Sequence, residues 1–267
     1  MAVKKAAPAS LTLEIAGLVA DFKSDSAGII NVLKGRYGFF AGGGRPDCRF
    51  EVSAYAGRQN PFKPAISAGK HTLCVKRGDF EAALDLRTGK GTLKAAPTEQ
   101  CLDAFLRSFL SSRLLSSGGY MLHSAGIVKK GRAYLFLGKS GAGKSTLSRL
   151  AAGAGAEVIS DEINMLRPSG RGFRVYGSPF WGEMRADGRP GSWPLGGIFI
   201  LKKARANRIL ACAKAEALRL LLRCLLNFDK SPAAGAAAIG NAASLLGKSV
   251  FRRLEFTKAD AGFLELI

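Results

Sequence analysis

The stretch LFLGKSGAGKSTLSRL, residues 135–150, constrains the fold of this chain more than any other. It contains the complete G-x-x-x-x-G-K-[ST] pattern of a P-loop, from Gly138 to Ser145. An apolar run precedes the pattern and a helical run follows it. Such a loop offers consecutive backbone N–H groups and the positive end of a helix to an anion. The sequence therefore predicts an α/β domain that grips the phosphates of a nucleotide.

The positions of this loop have separate predicted roles. We expect Lys144 to reach the β- and γ-phosphates of ATP, and the Ser145 hydroxyl to ligate Mg²⁺. The glycines let the backbone turn and approach the ligand where a Cβ would clash. The predicted nucleotide-binding residues are Gly138, Lys139, Ser140, Gly141, Ala142, Gly143, Lys144, Ser145 and Thr146. A P-loop alone does not separate a motor, a switch, a transporter ATPase and a kinase.

An acidic pair, Asp161-Glu162, ends the strand-like run EVIS that follows the P-loop helix. A carboxylate at such a strand end is well placed to hold Mg²⁺ or to take a proton from an attacking hydroxyl. Asp161 follows Lys144 by only seventeen positions, which favours small kinases over motor and transporter ATPases. We therefore predict Asp161 as a catalytic residue, and Ser145, Asp161 and Glu162 as metal ligands. Whether Asp161 or Glu162 is the base stays open.

His123 is the third candidate. It lies on the run YMLHSAGIV, which a tight Lys130-Gly131 turn joins to the run that leads into the P-loop. Pairing about that turn puts His123 near Gly138, at the phosphate end of the sheet. A histidine on an apolar strand is more often a satisfied core residue. The functional interpretation is a γ-phosphate contact or a proton relay.

The chain changes character at Pro97. Residues 1–96 look β-rich: several runs alternate apolar and polar residues, and Thr88-Gly89-Lys90-Gly91 predicts a hairpin turn. From 98 to 117 the apolar residues take helical spacing, and strands and helices then alternate to the C-terminus. We predict a β-rich N-terminal region at 1–96, for substrate recognition or assembly, and a nucleotide-binding domain at 97–267.

The net charge limits the classes of partner that we expect, and the cysteine content indicates the cellular compartment. The 40 Lys and Arg residues against 20 Asp and Glu give a formal charge of +20, spread through the whole chain. A general basic surface is the first interpretation, with an acidic partner favoured over nucleic acid. The five cysteines are scattered without C-x-x-C spacing, which predicts reduced thiols in a cytoplasmic protein. We expect neither a secretory leader in MAVKKAAPAS nor a transmembrane segment.

The stretch YMLHSAGIVKKGRAYLFLGKSGAGKSTLSRLAAGAGAEVISDEINML resembles P-loop kinases of the HPr kinase/phosphorylase type. In that family a histidine on the strand two before the P-loop and an acidic pair on the strand after it flank the nucleotide. The resemblance implies a phosphoenolpyruvate-carboxykinase-like fold with a mixed sheet. It also implies that His123 and Asp161 lie at the transferred phosphate, with Asp161 the better candidate for general base.

The wider chain is most similar to the HPr-kinase-related proteins that often accompany peptide-modification gene clusters. The segment GSPFWGE at 177–183 and the run PLGGIFIL at 194–201 carry this weaker resemblance. Two departures matter. HPr kinases have a second Asp where this chain has Glu162, and an E-x-R-G-[IL]-G signature where this chain reads GSWPLGG. The missing signature argues against HPr itself as the acceptor and against the reverse reaction.

Taken together, these features predict an ATP- and Mg²⁺-dependent serine/threonine kinase for a peptide or small protein. Lys144, Asp161 and His123 are its catalytic candidates, and catalysis rests mainly on positioning and electrostatics. Two alternatives stay open: a small-molecule hydroxyl kinase, and a nucleotide-dependent switch or NTPase without phosphotransfer. The sequence leaves the acceptor and the oligomeric state unspecified.

Overall fold

The computed structural model describes residues 8–185 and 188–267. The chain forms two compact units. One unit contains the residues up to Ser112 together with Asn227–Ser231, and the other contains Arg113–Leu226 and Pro232–Ile267. Most of the segment MAVKKAAPAS, on which the expectation of no leader rests, lies outside the described residues.

The first unit is a mixed sheet with helices. Its described elements are β1 (Ala9–Ile15), β2 (Leu18–Ser24), α1 (Ala27–Tyr37), a 3₁₀ helix (Gly38–Phe40), β3 (Cys48–Ala54), β4 (Ala65–Ala68), β5 (Thr72–Arg77), β6 (Phe80–Asp85), β7 (Lys90–Ala95) and most of α2 (Glu99–Ser116), whose last four residues belong to the second unit. The strand order is β1-β2-β3-β7-β6-β5-β4. The β2–β3 and β3–β7 pairs are parallel and the others antiparallel.

The β-rich prediction for this unit is confirmed, including the hairpin in which Leu84 of β6 lies opposite Gly91 of β7. Helix α1 was not predicted, and neither were β2 and β4. The buried residues of α1, Ile29, Ile30, Leu33 and Tyr37, follow helical spacing and mark one face. This short signal is easily missed among alternating strands, because α1 is only three turns long.

The start of α2 is bonded to the strands of the first unit. Arg77 and Asp79 form a buried two-bond ion pair at 2.6 and 2.7 Å, and the Arg77 guanidinium also donates to the Gln100 carbonyl at 3.2 Å. The Cys101 thiol donates to the Asp79 carbonyl, and burial raises the pKa of that thiol to about 12. These bonds join the first turn of α2 to the β5–β6 hairpin.

Phe105 on α2 is fully buried among other rings. It meets Phe50 and Phe80 edge-on at 5.6 and 5.9 Å between centroids, and it stacks on Phe109 at 5.7 Å. We expect Phe105→Ala to lower the free energy of unfolding by about 3–5 kcal/mol, because it leaves a cavity and removes ring contacts. Urea unfolding measures this loss. Phe39→Ala is the control, since Phe39 is 74% exposed; an equal loss in both variants would contradict the packing described.

The second unit carries the P-loop. Its described elements are β8 (Tyr120–Lys129), β9 (Arg132–Leu137), α3 (Lys144–Gly153), β10 (Glu157–Ser160), β11 (Ile163–Ser169), β12 (Gly172–Tyr176), β13 (Ser192–Lys203), β14 (Arg208–Ala211), α4 (Lys214–Cys224), α5 (Pro232–Lys248), β15 (Phe251–Phe256) and a 3₁₀ helix (Gly262–Leu266). The predicted hairpins at Lys130-Gly131 and at Ser169–Gly172 are confirmed.

Strand pairing in this unit closes a ring. Successive neighbours β8, β11, β12, β13 and β9 are hydrogen-bonded, and β9 returns to β8. β10 adds to β8, while β15 and then β14 add to β13. The β9, β13 and β15 strands are mutually parallel in this order, so their C-terminal ends lie at one edge of the sheet.

Strand β9 is buried on both faces, between the parallel β13 and the antiparallel β8, because helices cover both sides of the sheet here. Leu135 and Leu137 pack in a cluster that includes Leu221 of α4. Phe136 points to the other face, into a cluster that includes Leu147 of α3. Alternate side chains of β9 therefore pack against α4 on one face and α3 on the other. This packing fixes the end of β9 at Leu137, and with it the start of the P-loop at Gly138.

The mixed α/β class predicted from the sequence is thus confirmed. Among the described residues, no helix combines the length and the apolar character needed to cross a membrane. The five cysteines, all within the described ranges, form no disulfide, as their scattered spacing predicted.

Candidate nucleotide site

The P-loop connects β9 to α3 through a turn that only glycine accommodates at two points. Gly141 and Gly143 have φ values of +74° and +102°, in the region that L side chains rarely adopt. A Cβ on Gly143 would lie 2.6 Å from the Phe256 ring, so this position also lacks space. Helix α3 begins at Lys144, and the first amides of the helix have no partner within it. The loop and these amides form a cradle for an anion.

Gly143→Ala is expected to lower the free energy of unfolding by about 2 kcal/mol or more, from backbone strain and overpacking against Phe256. It should also weaken nucleotide binding. Gly153→Ala, at the other end of α3, is the matched control because no atom lies within 4 Å of its added Cβ. Urea unfolding of both variants checks the prediction, which fails if Gly143→Ala is as stable as Gly153→Ala.

Lys144 is the buried cation of this loop, with 7% of its surface exposed. Its ammonium donates to the Gly138 carbonyl at 3.1 Å, across the turn. Burial lowers the pKa of Lys144, and this effect exceeds the opposing influence of Cys224 and Glu183. A lowered pKa means that the charged form lacks full compensation here. An anionic ligand that reaches Lys144 would supply that compensation and raise its pKa again.

A cavity of about 440 Å³ opens beside the loop and brings the predicted catalytic and metal-binding residues together. It is lined by His123, Ser140, Gly141, Gly143, Lys144, Ser145, Thr146, Asp161, Glu162, Gly182, Glu183, Lys203 and Lys258. We refer to it as the P-loop cavity. Of the predicted nucleotide-binding residues, Gly138, Lys139 and Ala142 do not line it; they line a neighbouring pocket instead.

Strand register explains why His123 reaches the P-loop cavity. Ser124 lies opposite Leu137 in the antiparallel β8–β9 pair. The preceding residue of β8, His123, therefore lies on the side of Gly138, as the turn at Lys130-Gly131 predicted. On its other side His123 pairs with Ile163 of β11. His123 therefore lies where the pairing of β8 with β9 ends and its pairing with β11 begins, beside the start of the P-loop.

Asp161 lies at the end of β10 and is buried, with 4% of its surface exposed. Its Oδ1 accepts the Gly182 amide at 2.9 Å and its Oδ2 accepts the Met184 amide at 3.2 Å. The neighbouring Ser160 hydroxyl donates to the Phe180 carbonyl at 2.7 Å. The segment GSPFWGE is thus fastened to the acidic strand end. This positioning role of Asp161 was not predicted from the sequence.

Glu183 extends from the same segment to the rim of the P-loop cavity and pairs with Arg149 of α3 at 2.9 Å. Both side chains are more than half exposed, so the pair contributes little to stability. It nevertheless places one carboxylate at the cavity rim. Lys202, near the end of β13, lines the neighbouring pocket and not this cavity.

Two cations in the P-loop cavity, Lys203 and Lys258, were missed in the sequence. Lys203 ends β13, which runs parallel to β9, and it lies opposite Phe256 at the end of β15. The signal was present, because the carboxyl ends of adjacent parallel strands meet at the ligand-binding edge of a sheet. Finding it required the parallel pairing of β13 with β9, which residue patterns alone do not give.

The fit of a Mg²⁺ ion can be judged from these donors. Within residues 8–185 and 188–267, no three His, Cys, Asp or Glu side chains cluster as a metal site. Mg²⁺ does not need such a cluster when phosphates are present, since it is commonly held by one or two carboxylates, phosphate oxygens and water. The Ser145 hydroxyl and the Asp161 and Glu162 carboxylates line one cavity and fit that pattern.

The comparisons with known proteins give one family match. The family model described as "SynChlorMet cassette protein ScmC" matches residues 105–225, slightly less than half of the chain. The matched part contains His123, the P-loop, the acidic pair, the segment GSPFWGE and helix α4. No curated protein matches the chain. The description names a cassette and no activity, so the chemistry has to be argued from the site itself.

Proposed function

We propose that this protein is an ATP-dependent kinase that transfers the γ-phosphate to a serine or threonine hydroxyl of a peptide or small protein. One observation carries the proposal: His123, the neighbours Lys144 and Ser145, and Asp161, which come from three separate parts of the chain, line one cavity. A P-loop lysine, a hydroxyl at the helix start and a buried carboxylate are the parts that phosphoryl transfer requires.

The donor phosphates would occupy the cradle at the start of α3. Backbone N–H groups of the glycine turn and the helix dipole would hold the β-phosphate. Lys144 would exchange its bond with the Gly138 carbonyl for phosphate oxygens. Because Lys144 is buried, its charge would act in a weakly screened environment and stabilise the negative charge of the transferring group.

Ser145 and Asp161, with Glu162 beside them, would hold Mg²⁺. When bound, this ion neutralises charge on the β- and γ-phosphates and fixes their orientation. His123 and Lys203, at the border of the same cavity, would contact the γ-phosphate oxygens.

The acceptor hydroxyl would approach the γ-phosphate on the side of the acidic pair. Its oxygen forms a bond to the γ-phosphorus while the bond from that phosphorus to the bridging oxygen of ADP breaks. Asp161 accepts the hydroxyl proton. The Asp161 oxygens accept one amide each, and a carboxylate oxygen has two lone pairs, so each retains capacity for the proton or the metal.

The resemblance to HPr-kinase-related proteins of peptide-modification clusters supports a polypeptide acceptor, as does the formal charge of +20. Under this proposal the first unit recognises substrate or mediates assembly. Its mixed seven-stranded sheet supplies strand edges on which a peptide could pair. The free thiols agree with work in a reducing, cytoplasmic compartment.

A nucleotide-dependent switch without phosphotransfer is the second candidate. One observation favours it: the two carboxylate oxygens of Asp161 already accept backbone amides, one from Gly182 in the segment GSPFWGE and one from Met184 directly after it. A nucleotide that recruits Asp161 would then loosen this segment, which is how a binding event becomes a conformational signal.

A single-turnover assay tests the proposal. The protein is mixed with γ-labelled ATP, Mg²⁺ and serine- or threonine-containing peptides rich in Asp and Glu. We expect label on a peptide hydroxyl, and none with the Lys144→Met variant. Tight ATP binding with neither transfer nor hydrolysis would reject the kinase and leave the switch.

A further inference from the structure

A second cavity, of about 680 Å³, lies beside the first half of the P-loop. It is lined by Gly138, Lys139, Ser140, Gly141, Ala142, Ile200, Leu201, Lys202, Lys203, Glu216, Arg219, Leu220, Arg223 and Arg253, and we refer to it as the basic pocket. It shares Ser140, Gly141 and Lys203 with the P-loop cavity. A ligand in the basic pocket would therefore adjoin the donor phosphates.

The charges of the basic pocket divide into paired and unpaired groups. Arg253 pairs with Glu216 at 2.5 Å, and Lys202 pairs with Glu255 at 3.1 Å. The remaining four cations of the pocket have no carboxylate partner within the described part of the chain; they are Lys139, Lys203, Arg219 and Arg223. Four uncompensated positive charges around one pocket produce a field that concentrates anions.

The donor nucleotide does not account for all of these charges. Lys144 and Ser145, the residues proposed to hold phosphate and metal, line the P-loop cavity and not the basic pocket. A nucleoside in the basic pocket would be neutral, and even with Lys139 and Lys203 near the donor phosphates it would leave Arg219 and Arg223 without a counter-charge. The ligand that fits has to bring its own negative charges.

The apolar part of the pocket further restricts the class of ligand that fits. Ile200, Leu201 and Leu220 line it between the cationic groups. Arg219 and Arg223 lie one turn apart on α4, so their guanidinium groups can approach neighbouring carboxylates, each with two parallel N–H donors. A chain that combines carboxylates with an apolar side chain satisfies both features.

We propose that the basic pocket binds an acidic segment of the acceptor polypeptide, with Asp or Glu carboxylates on Arg219 and Arg223 and an apolar side chain over Leu220. This inference rests on the proposed kinase function and specifies its substrate class. The segment would lie close to the acceptor hydroxyl in sequence, because the two cavities share a wall.

Peptide binding by fluorescence anisotropy tests the inference on the full chain. The probes are a labelled peptide of glutamate, leucine and serine and the same peptide with glutamine for glutamate. We expect Arg219→Glu with Arg223→Glu to weaken binding of the acidic peptide by about tenfold or more, and the glutamine peptide to bind weakly to every variant. The double variant Arg219→Gln with Arg223→Gln removes the two charges without reversing them. It should weaken binding in the same direction, so the test does not depend on the folding of the charge-reversed variant.

The matched control reverses two exposed charges elsewhere, Arg171→Glu with Lys90→Glu, and should change the affinity by about twofold or less. Equal effects of the pocket pair and the control pair, or absence of binding to the unmodified protein, would overturn the inference. So would loss of ATP affinity in the arginine variants, which would assign the pocket to the nucleoside. Pocket-dependent binding of a single-stranded oligonucleotide in place of the peptide would overturn it as well.

Failure of the kinase proposal gives a different pattern. If the unmodified protein binds no ATP but the acidic peptide still requires Arg219 and Arg223, the proposed function is wrong and the peptide site stands. If ATP binds and is lost with Lys144→Met while the peptide effects are absent, the reverse holds.

Discussion

Replacing Lys144 by methionine is expected to weaken MgATP binding by about a hundredfold and to abolish phosphotransfer. The lysine is the buried cation of the P-loop cavity, and a lost charge-assisted contact of this kind costs about 3 kcal/mol of binding free energy. Methionine keeps the length and apolar character of the side chain. Isothermal titration with an ATP analogue measures the affinity, and the single-turnover assay measures transfer.

The same variant separates a binding role from a folding role. Burial lowers the pKa of Lys144, so its charged form is disfavoured in the empty protein, and its bond to the Gly138 carbonyl offsets only part of that cost. We therefore expect the melting temperature of the empty protein to change little in Lys144→Met. At a nucleotide concentration of a hundred times Kd, binding should raise the free energy of unfolding of the unmodified protein by about 2.7 kcal/mol. At the same concentration, the free energy of unfolding of the variant should rise by almost nothing. Arg171→Met, at an exposed turn, is the control that should retain the full gain.

Asp161→Asn is expected to lower the transfer rate by about a thousandfold and also to destabilise the second unit. The rate effect follows from the proposed mechanism, in which Asp161 is the general base and a metal ligand. The stability effect follows from the two amides that the carboxylate accepts, from Gly182 and Met184. An asparagine has one oxygen, so its NH₂ group faces one of these donors, at a cost of about 1–3 kcal/mol. Thermal unfolding and single-turnover kinetics measure the two effects.

Two comparisons make this prediction decisive. Asp85→Asn removes a carboxylate that also accepts two backbone amides, but from an accessible turn of the first unit, and it should leave the transfer rate intact. Glu162→Gln tests the other candidate base. A larger rate loss in Glu162→Gln than in Asp161→Asn would assign the proton transfer to Glu162 and leave Asp161 as a positioning residue.

The sequence predicted the mixed α/β class and many of the elements because the patterns that mark them are local. The runs around β8, β9 and α3 carry strand alternation, a glycine turn and a helical stretch in the right order. Helix α1 was missed because it is short and lies between strands. The attachment of the start of α2 to the β5–β6 hairpin could not be predicted from the sequence, because it depends on the Arg77–Asp79 pair and on Gln100, which meet only through tertiary folding.

The site was predictable where strand register could be read from a short turn. The tight turn at Lys130-Gly131 puts His123 beside the P-loop, and the structure has that register. Lys203 and the arginines of α4 were not predictable in this way. Their positions depend on the parallel pairing of β13 with β9 and on the packing of α4, which involve contacts between residues far apart in sequence.

The most direct test of the account is an experimental structure of the protein with Mg²⁺ and a non-hydrolysable ATP analogue. The account predicts that the γ-phosphate lies in the P-loop cavity, that the Lys144 ammonium leaves the Gly138 carbonyl to contact phosphate oxygens, and that the metal lies on the Ser145 hydroxyl and the acidic pair. Phosphates bound outside this cavity, or an unchanged Lys144–Gly138 bond in the nucleotide complex, would contradict it.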